Sequence, residues 1–213
     1  VPKVVDREQR RDEVVAALWR LAYRDGWDAV SLRKVASEAG LSLGSVQHYF
    51  AGLDDLLDHA VAGVLDILDE RLVGQLTMLT DPRCAESTVR RVLQSMIPGA
   101  VDESPPAVTS VPDALWQAKV MAWLTVVERA ARRPEMSARL SAGSDRLTRA
   151  IAAAIRICIP DRSHSEAEHD ARGLLALVEG LLVQLVRRDL VPADASTVIE
   201  RFVSGVFTPH AAR

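Results

Sequence analysis

Residues 171–186 constrain the fold of this chain most strongly. Ala171, Leu174, Leu175, Leu177, Val178, Leu181, Leu182, Val183, Leu185 and Val186 leave almost no polar side to that stretch. No alternation of period two runs through it, so it reads as a helix, and a helix so apolar must be covered on every side. Either it runs through the middle of its own domain or one flank meets a second subunit.

The rest of the 213-residue chain repeats the helical theme. Its apolar residues are dominated by Ala, Leu and Val, and aromatics are only 4%, a bias toward helices over a sheet sandwich. Val14, Ala17, Leu18 and Leu21 place a stripe on a helix over 7–24, with Gly26 just past its end. A second helix opens at Ser31 and carries Leu32, Val35, Ala36 and Ala39 before Gly40. A third, very short helix begins near Ser42 with Val46, Tyr49 and Phe50 inward.

Continuous periodicity from Leu53 to about Leu79 predicts one long helix. Further helices are expected from Asp81-Pro82 to Met96, from about 113 to 133, onward to about Ile159, and from about 194 to 207. Ser165 and Glu168 fit a capping box for the apolar helix described first, which then reaches Arg188. The proline-rich stretch 98–112 reads equally well as a pocket rim or a surface connection. The expected fold class is therefore all-α.

Charge does little to identify a partner. The net formal charge is −3, while residues 1–52 carry eight Lys/Arg against seven acids. No apolar run approaches the ~20 residues needed to span a bilayer, and the first residues are amphipathic rather than signal-like. Cys84 and Cys158 show no paired or metal-like spacing, which fits a reducing cytoplasm.

Two short helices joined by a Gly-containing turn make a helix-turn-helix, whose second helix can enter the major groove. Ser31, Arg33 and Lys34 suit phosphate contact at the start of the first. Ser42, Leu43, Gly44, Ser45, Gln47, His48 and Tyr49 form the candidate recognition helix, in which Gln can pair with adenine and small residues permit close approach. The competing reading of the same residues is a solvated face on a small helical bundle.

The stretch Tyr23–Leu57, YRDGWDAVSLRKVASEAGLSLGSVQHYFAGLDDLL, resembles the signature of the tetracycline-repressor (TetR) family of bacterial transcriptional regulators. The matching features are Gly26-Trp27, Ser31, Val35-Ala36, Ala39-Gly40, Ser42, Gly44, Phe50 and Asp55-Leu56-Leu57. Three positions depart from the family pattern. Leu53 stands where a phosphate-binding Lys is usual, Gln47 where an aromatic is, and Leu43 where a basic residue is. Fewer phosphate contacts imply a shallower salt dependence.

The resemblance implies a DNA-binding head over 1–52 and a helical ligand-binding and dimerisation domain over 53–213. It implies a homodimer on a palindromic double-stranded operator, acting as a repressor released by a small apolar or amphipathic effector. The helices near 147–158 and 171–187 would then pair with their symmetry mates, through Ile151, Ile155, Leu174, Leu177, Val178, Leu181 and Leu185. Met96, Trp116, Gln117, Val120, Met121, Trp123 and Leu147 are the candidate effector-binding residues, each also readable as plain core. Residues 171–203 loosely resemble the betaine-regulator branch.

Sharper chemistries are less well supported. Gly40-Leu41-Ser42-Leu43-Gly44 fits the esterase pattern G-x-S-x-G, but that pattern marks a nucleophile only on a strand-to-helix elbow. His164, Glu166, Glu168 and His169 lack the HExxH arrangement that places two His on one helical face, so they read as a capped helix start. No catalytic residue, metal or cofactor is expected. An interaction module with a weakened DNA head is the main alternative, and a transcriptional activator is a second.

Overall fold

The computed structural model describes residues 7–79, 81–97 and 116–208, apart from the side chains of Tyr23, Val64, Ile67, Leu68, Asp69 and residues 116–122. Every regular element among them is helical. Contacts divide the chain into two compact units, Val1–Val64 and Leu65–Arg213. This boundary falls beyond residue 52 because Leu56, Leu57 and Ala60, on the first turns of the long helix, belong to the head's core.

The head opens with α1 (Arg7–Asp25), whose Val14, Ala17, Leu18 and Leu21 are buried. Gly26 ends it at φ 84°, a left-handed conformation that a Cβ would strain. A single 3-10 turn (Trp27–Ala29) leads to α2 (Leu32–Glu38) and α3 (Leu43–Tyr49). Val35, Ala36, Val46 and Phe50 join the α1 stripe in one core. Trp19 and Trp27 close its edge with rings 5.5 Å apart and nearly perpendicular.

Helix α4 (Leu53–Thr77) runs across the division. In the second unit, α5 (Pro82–Ser95) starts where Asp81 accepts from the Arg83 amide, with proline at the first helical position. There follow α6 (Trp116–Arg132), α7 (Pro134–Cys158), α8 (His164–Arg187) and α9 (Pro192–Phe207). The proline-rich stretch 98–112 lies outside the described residues.

The capping box sits two residues earlier than the sequence reading placed it. Ser163 and Glu166 form it, and the Glu166 carboxylate accepts from the Ser163 amide at 2.9 Å. The S-x-x-E spacing occurs twice in this stretch, and starting at the earlier copy lets the Ala167 amide close a turn onto the Ser163 carbonyl. Helix α8 ends on Arg188, at φ 62°.

The second core is built from α5, α7, α8, α9 and the far part of α4. Helix α9 presents Ala195, Ile199, Val203 and Phe207 to it at four-residue steps. Each fully buried Leu, Ile or Phe stabilises by about 1.5–3 kcal/mol, against about 0–1 for a surface ion pair, so the apolar stripes dominate the fold's stability.

Candidate nucleic-acid interface

The turn between α2 and α3 is short because two local devices make it so. Gly40 adopts φ 68°, and the amides of Gly40 and Leu41 turn back onto the carbonyls of Ser37 and Ala36 at 3.1 and 2.9 Å. Ser42 then caps α3: its Oγ accepts from the Ser45 amide at 3.0 Å and lies 2.8 Å from Ser45 Oγ. Ser31 caps α2 in the same way, accepting from the Lys34 amide.

With Val35, Ala36 and Val46 inward, the remaining side chains of the two helices have one place to go. Arg33, Lys34, Ser42, Gly44, Gln47 and His48 are exposed, while Ser31, Leu43, Ser45 and Tyr49 are half-buried. All ten residues selected in the sequence lie on α2, α3 or their caps. The His48 and Tyr49 rings meet edge to face with centroids 5.3 Å apart, and Tyr49 also packs on the head core. Gly44 leaves room on the helix, since an added Cβ would meet only Ser42 Oγ at 4.0 Å.

Only some of the head's basic residues can serve a phosphate backbone. Glu38, at the end of α2, accepts from Arg20 Nε at 3.1 Å and from Arg24 Nη1 at 2.8 Å. Arg24 also donates to Asp25 at 3.0 Å. These hydrogen bonds hold the Asp25 and Glu38 carboxyls below their usual range and raise Arg24. The cluster ties α2 to α1 and neutralises two cations of the head. Arg33 makes no ion pair among the described residues.

Leu53 is half-buried against the head core, so the site of the usual phosphate-binding Lys has become part of the packing. Asp55 beside it accepts from the Ala51 amide at 2.8 Å and fixes the α3–α4 corner.

One cluster in the head left no sequence signal. Arg11 of α1 reaches His59 of α4 across 48 positions, with Nη2 3.3 Å from Nδ1, and its guanidinium carbon lies 5.0 Å from the Phe50 ring centroid.

Ser42 is a helix cap in an all-helical neighbourhood, so the G-x-S-x-G pattern has no strand-to-helix elbow here. Glu166 is committed to its capping box, and His164 lies 3.3 Å from Glu168 one helical turn away.

Residues 14–60 match the family model for bacterial regulatory proteins of the tetR family. Residues 109–208 match that for the C-terminal part of BetI-type transcriptional repressors. The chain belongs to the TetR family of bacterial transcriptional regulators. Among its relatives, the HTH-type regulator PksA of Bacillus subtilis is 45% identical over 60 residues, 28% of this chain and 29% of that one. The chain therefore spans less than a third of PksA in that match. The HTH-type regulator BetI of Stenotrophomonas maltophilia is 26% identical over 181 residues, 85% of this chain and 83% of that one. A putative transcriptional regulator from Saccharomonospora viridis, solved in complex with choline, shares the fold at TM-score 0.72 with 22% identity, covering 92% of this chain and 96% of that one. These relatives are transcriptional regulators rather than enzymes.

In this TetR-family protein most of the residues read for dimerisation are buried within the single chain. Ile151, Ile155, Leu174, Val178, Leu181 and Leu185 are each 0–3% exposed within the single chain, and Leu177 is half-buried. Six of them belong to the core of the second unit, and Leu177 packs against it. The exposed flank of α8 carries Gly173, Ala176, Gly180, Val183 and Arg187.

Of the candidate effector-binding residues, Met96 and Trp123 are half-buried and Leu147 is 7% exposed, all against the same core. The side chains of Trp116, Gln117, Val120 and Met121 lie outside the described residues. A separate open groove on α8 and α9 is lined by Asp170, Arg201, Phe202, Gly205 and Val206.

Proposed function

We propose that this TetR-family regulator is a homodimeric repressor that binds a palindromic operator and is released by a small apolar or amphipathic effector. The observation that carries the DNA part is the exposed polar face of α2 and α3, with Arg33, Lys34, Gln47 and His48 clear of the head core. Arg33 and Lys34 are assigned to phosphate, and the α3 residues Gly44, Ser45, Gln47 and His48 to base edges.

A two-fold dimer would present two copies of α3 to a palindrome. We assign its contact to the outer flank of α8, where small residues let two helices approach closely, together with exposed Arg149, Ala153 and Arg156 of α7.

The effector is assigned to the second unit, around Met96, Trp123, Leu147 and the neighbouring part of α6. It acts only if it prefers the DNA-incompetent state, because equal affinity for both states shifts nothing. Choline, held by the Saccharomonospora viridis regulator, is the first compound to try.

The test is fluorescence anisotropy on DNA from the protein's own upstream region, and then on fragments selected from a random library, at ~50 and ~200 mM salt. An Arg33→Ala/Tyr49→Ala variant, checked for helicity and mass because Tyr49 also packs, runs beside the native chain. Tight, salt-sensitive binding lost in the folded variant supports the reading. A folded dimer that selects no DNA overturns it in favour of an interaction module.

A further inference from the structure

At the junction between α3 and α4, one buried aromatic ring has an arginine and a histidine packed against it. Phe50, the residue that caps α3, is 1% exposed. The Arg11 guanidinium stands over its face at 5.0 Å, and the His59 ring lies tilted against it at 5.6 Å. Arg11 and His59 meet each other through Nη2 and Nδ1 at 3.3 Å.

Arg has donors only, so a hydrogen bond in this pair requires a lone pair on His59 Nδ1, which means a neutral imidazole. The other buried nitrogen of the guanidinium, Nε, has no hydrogen-bond partner. His59 is thus the acceptor that keeps Arg11 in place over the ring. A proton on Nδ1 removes the acceptor and sets two cations side by side.

We propose that Arg11 and His59 form a proton-sensitive latch that positions α3 for DNA: neutral His59 holds Arg11 against Phe50, and protonated His59 releases it. The inference rests on the reading of α3 as the recognition helix. Arg11 and His59 are positioning residues, since neither lies on the DNA-facing side of α2 or α3.

The surrounding charges set the direction. Burial and Arg11 both lower the His59 pKa from 6.5, while Asp12 and Glu8 of α1 and Asp55 of α4 raise it, and the net shift is downward. The latch is closed above the ordinary histidine range and opens as pH falls through the lowered value. The head's other histidine, His48, lies exposed on α3, so it is replaced to leave His59 as the histidine under test in the head.

Two measurements on the full-length chain test the latch. In the first, the His59 ring proton is followed by NMR as a function of pH. A midpoint below 6.5 that rises in Arg11→Met supports the pair, and a midpoint unmoved by that variant overturns it. In the second, anisotropy on a library-selected DNA fragment is read at about pH 7.5 and at a pH below the His59 midpoint found by NMR, in a His48→Gln background.

That background should lose affinity by about tenfold on acidification, the worth of one charged hydrogen bond. Adding His59→Gln, which keeps an acceptor but cannot titrate there, should flatten the profile whatever its affinity at neutral pH. Equal profiles with and without His59→Gln overturn the coupling to DNA. Failure to select any DNA, with the NMR titration as expected, instead rejects the recognition-helix reading on which that coupling depends.

Discussion

Gln94 donates its side-chain amide to Ser196 Oγ at 2.7 Å, and that bond is one rung of a polar ladder between α5 and α9. Arg90 donates to Glu200 at 2.8 Å, and Ser204 donates to Glu86 at 2.7 Å. The partners step by four along each helix in opposite directions, so antiparallel helices bring them into register. The ladder flanks the apolar contact that α9 makes through Ile199 and Val203.

The rungs should differ in worth according to their burial. Gln94→Ala removes a part-buried bond and leaves Ser196 without it, at a cost of about 1 kcal/mol. Arg90→Ala removes a pair whose acid is 56% exposed, at a cost between about 0 and 1 kcal/mol. Urea unfolding followed by circular dichroism checks the order, and an Arg90 effect larger than the Gln94 effect contradicts it.

Core and interface should separate by mutation in the second unit. Ile151→Ala creates a cavity at a fully buried site and should destabilise the fold by about 2–5 kcal/mol. Gly180→Arg should leave the subunit folded, because an added Cβ there meets nothing within 4 Å and Arg favours helix over Gly. The second variant should run as a monomer in light scattering with native helicity. A dimer of unchanged mass would remove the outer flank of α8 from the interface.

The contrast explains what the sequence could and could not convey. Gly26, Gly40, Ser31 and Ser42 each announce a local backbone event through their own chemistry, and the head is legible from them. The flanks of α8 are not, because its exposed side carries Gly173, Ala176, Gly180 and Val183 among its charges, so polarity alone does not separate it from the core side. Periodicity marks Leu174 and Val178 as apolar without saying whether their cover comes from the same chain. The Arg11–His59 contact spans 48 positions and belongs to no motif, so only the fold brings it into view.

Restoring a cation at the start of α4 should strengthen DNA binding. Leu53 is half-buried, and a Lys there can keep its stem on the head core while its ammonium reaches solvent. Leu53→Lys should steepen the slope of log affinity against log salt by about 0.9, the contribution of one more neutralised phosphate. An unchanged slope in a folded variant would mean that this corner does not approach the DNA backbone.

Acid should loosen the tie between α1 and α2 before it reaches either core. The Arg24 and Arg20 hydrogen bonds hold Glu38 below its ordinary 4.5, and the bond from Arg24 holds Asp25 below 3.8. For carboxylates with a depressed folded pKa, the unfolded chain binds protons first as pH falls. Their stabilisation is therefore complete above about 4.5 and is lost as pH drops through the lower folded values. Glu38→Gln removes that titration but keeps a carbonyl acceptor for one arginine. The variant's stability should respond less steeply to pH below about 4.5 than the native chain's, with the difference confined to that window. Urea midpoints measured across acid pH check this, and parallel curves would show that the arginines on Glu38 contribute nothing to holding α2 on α1.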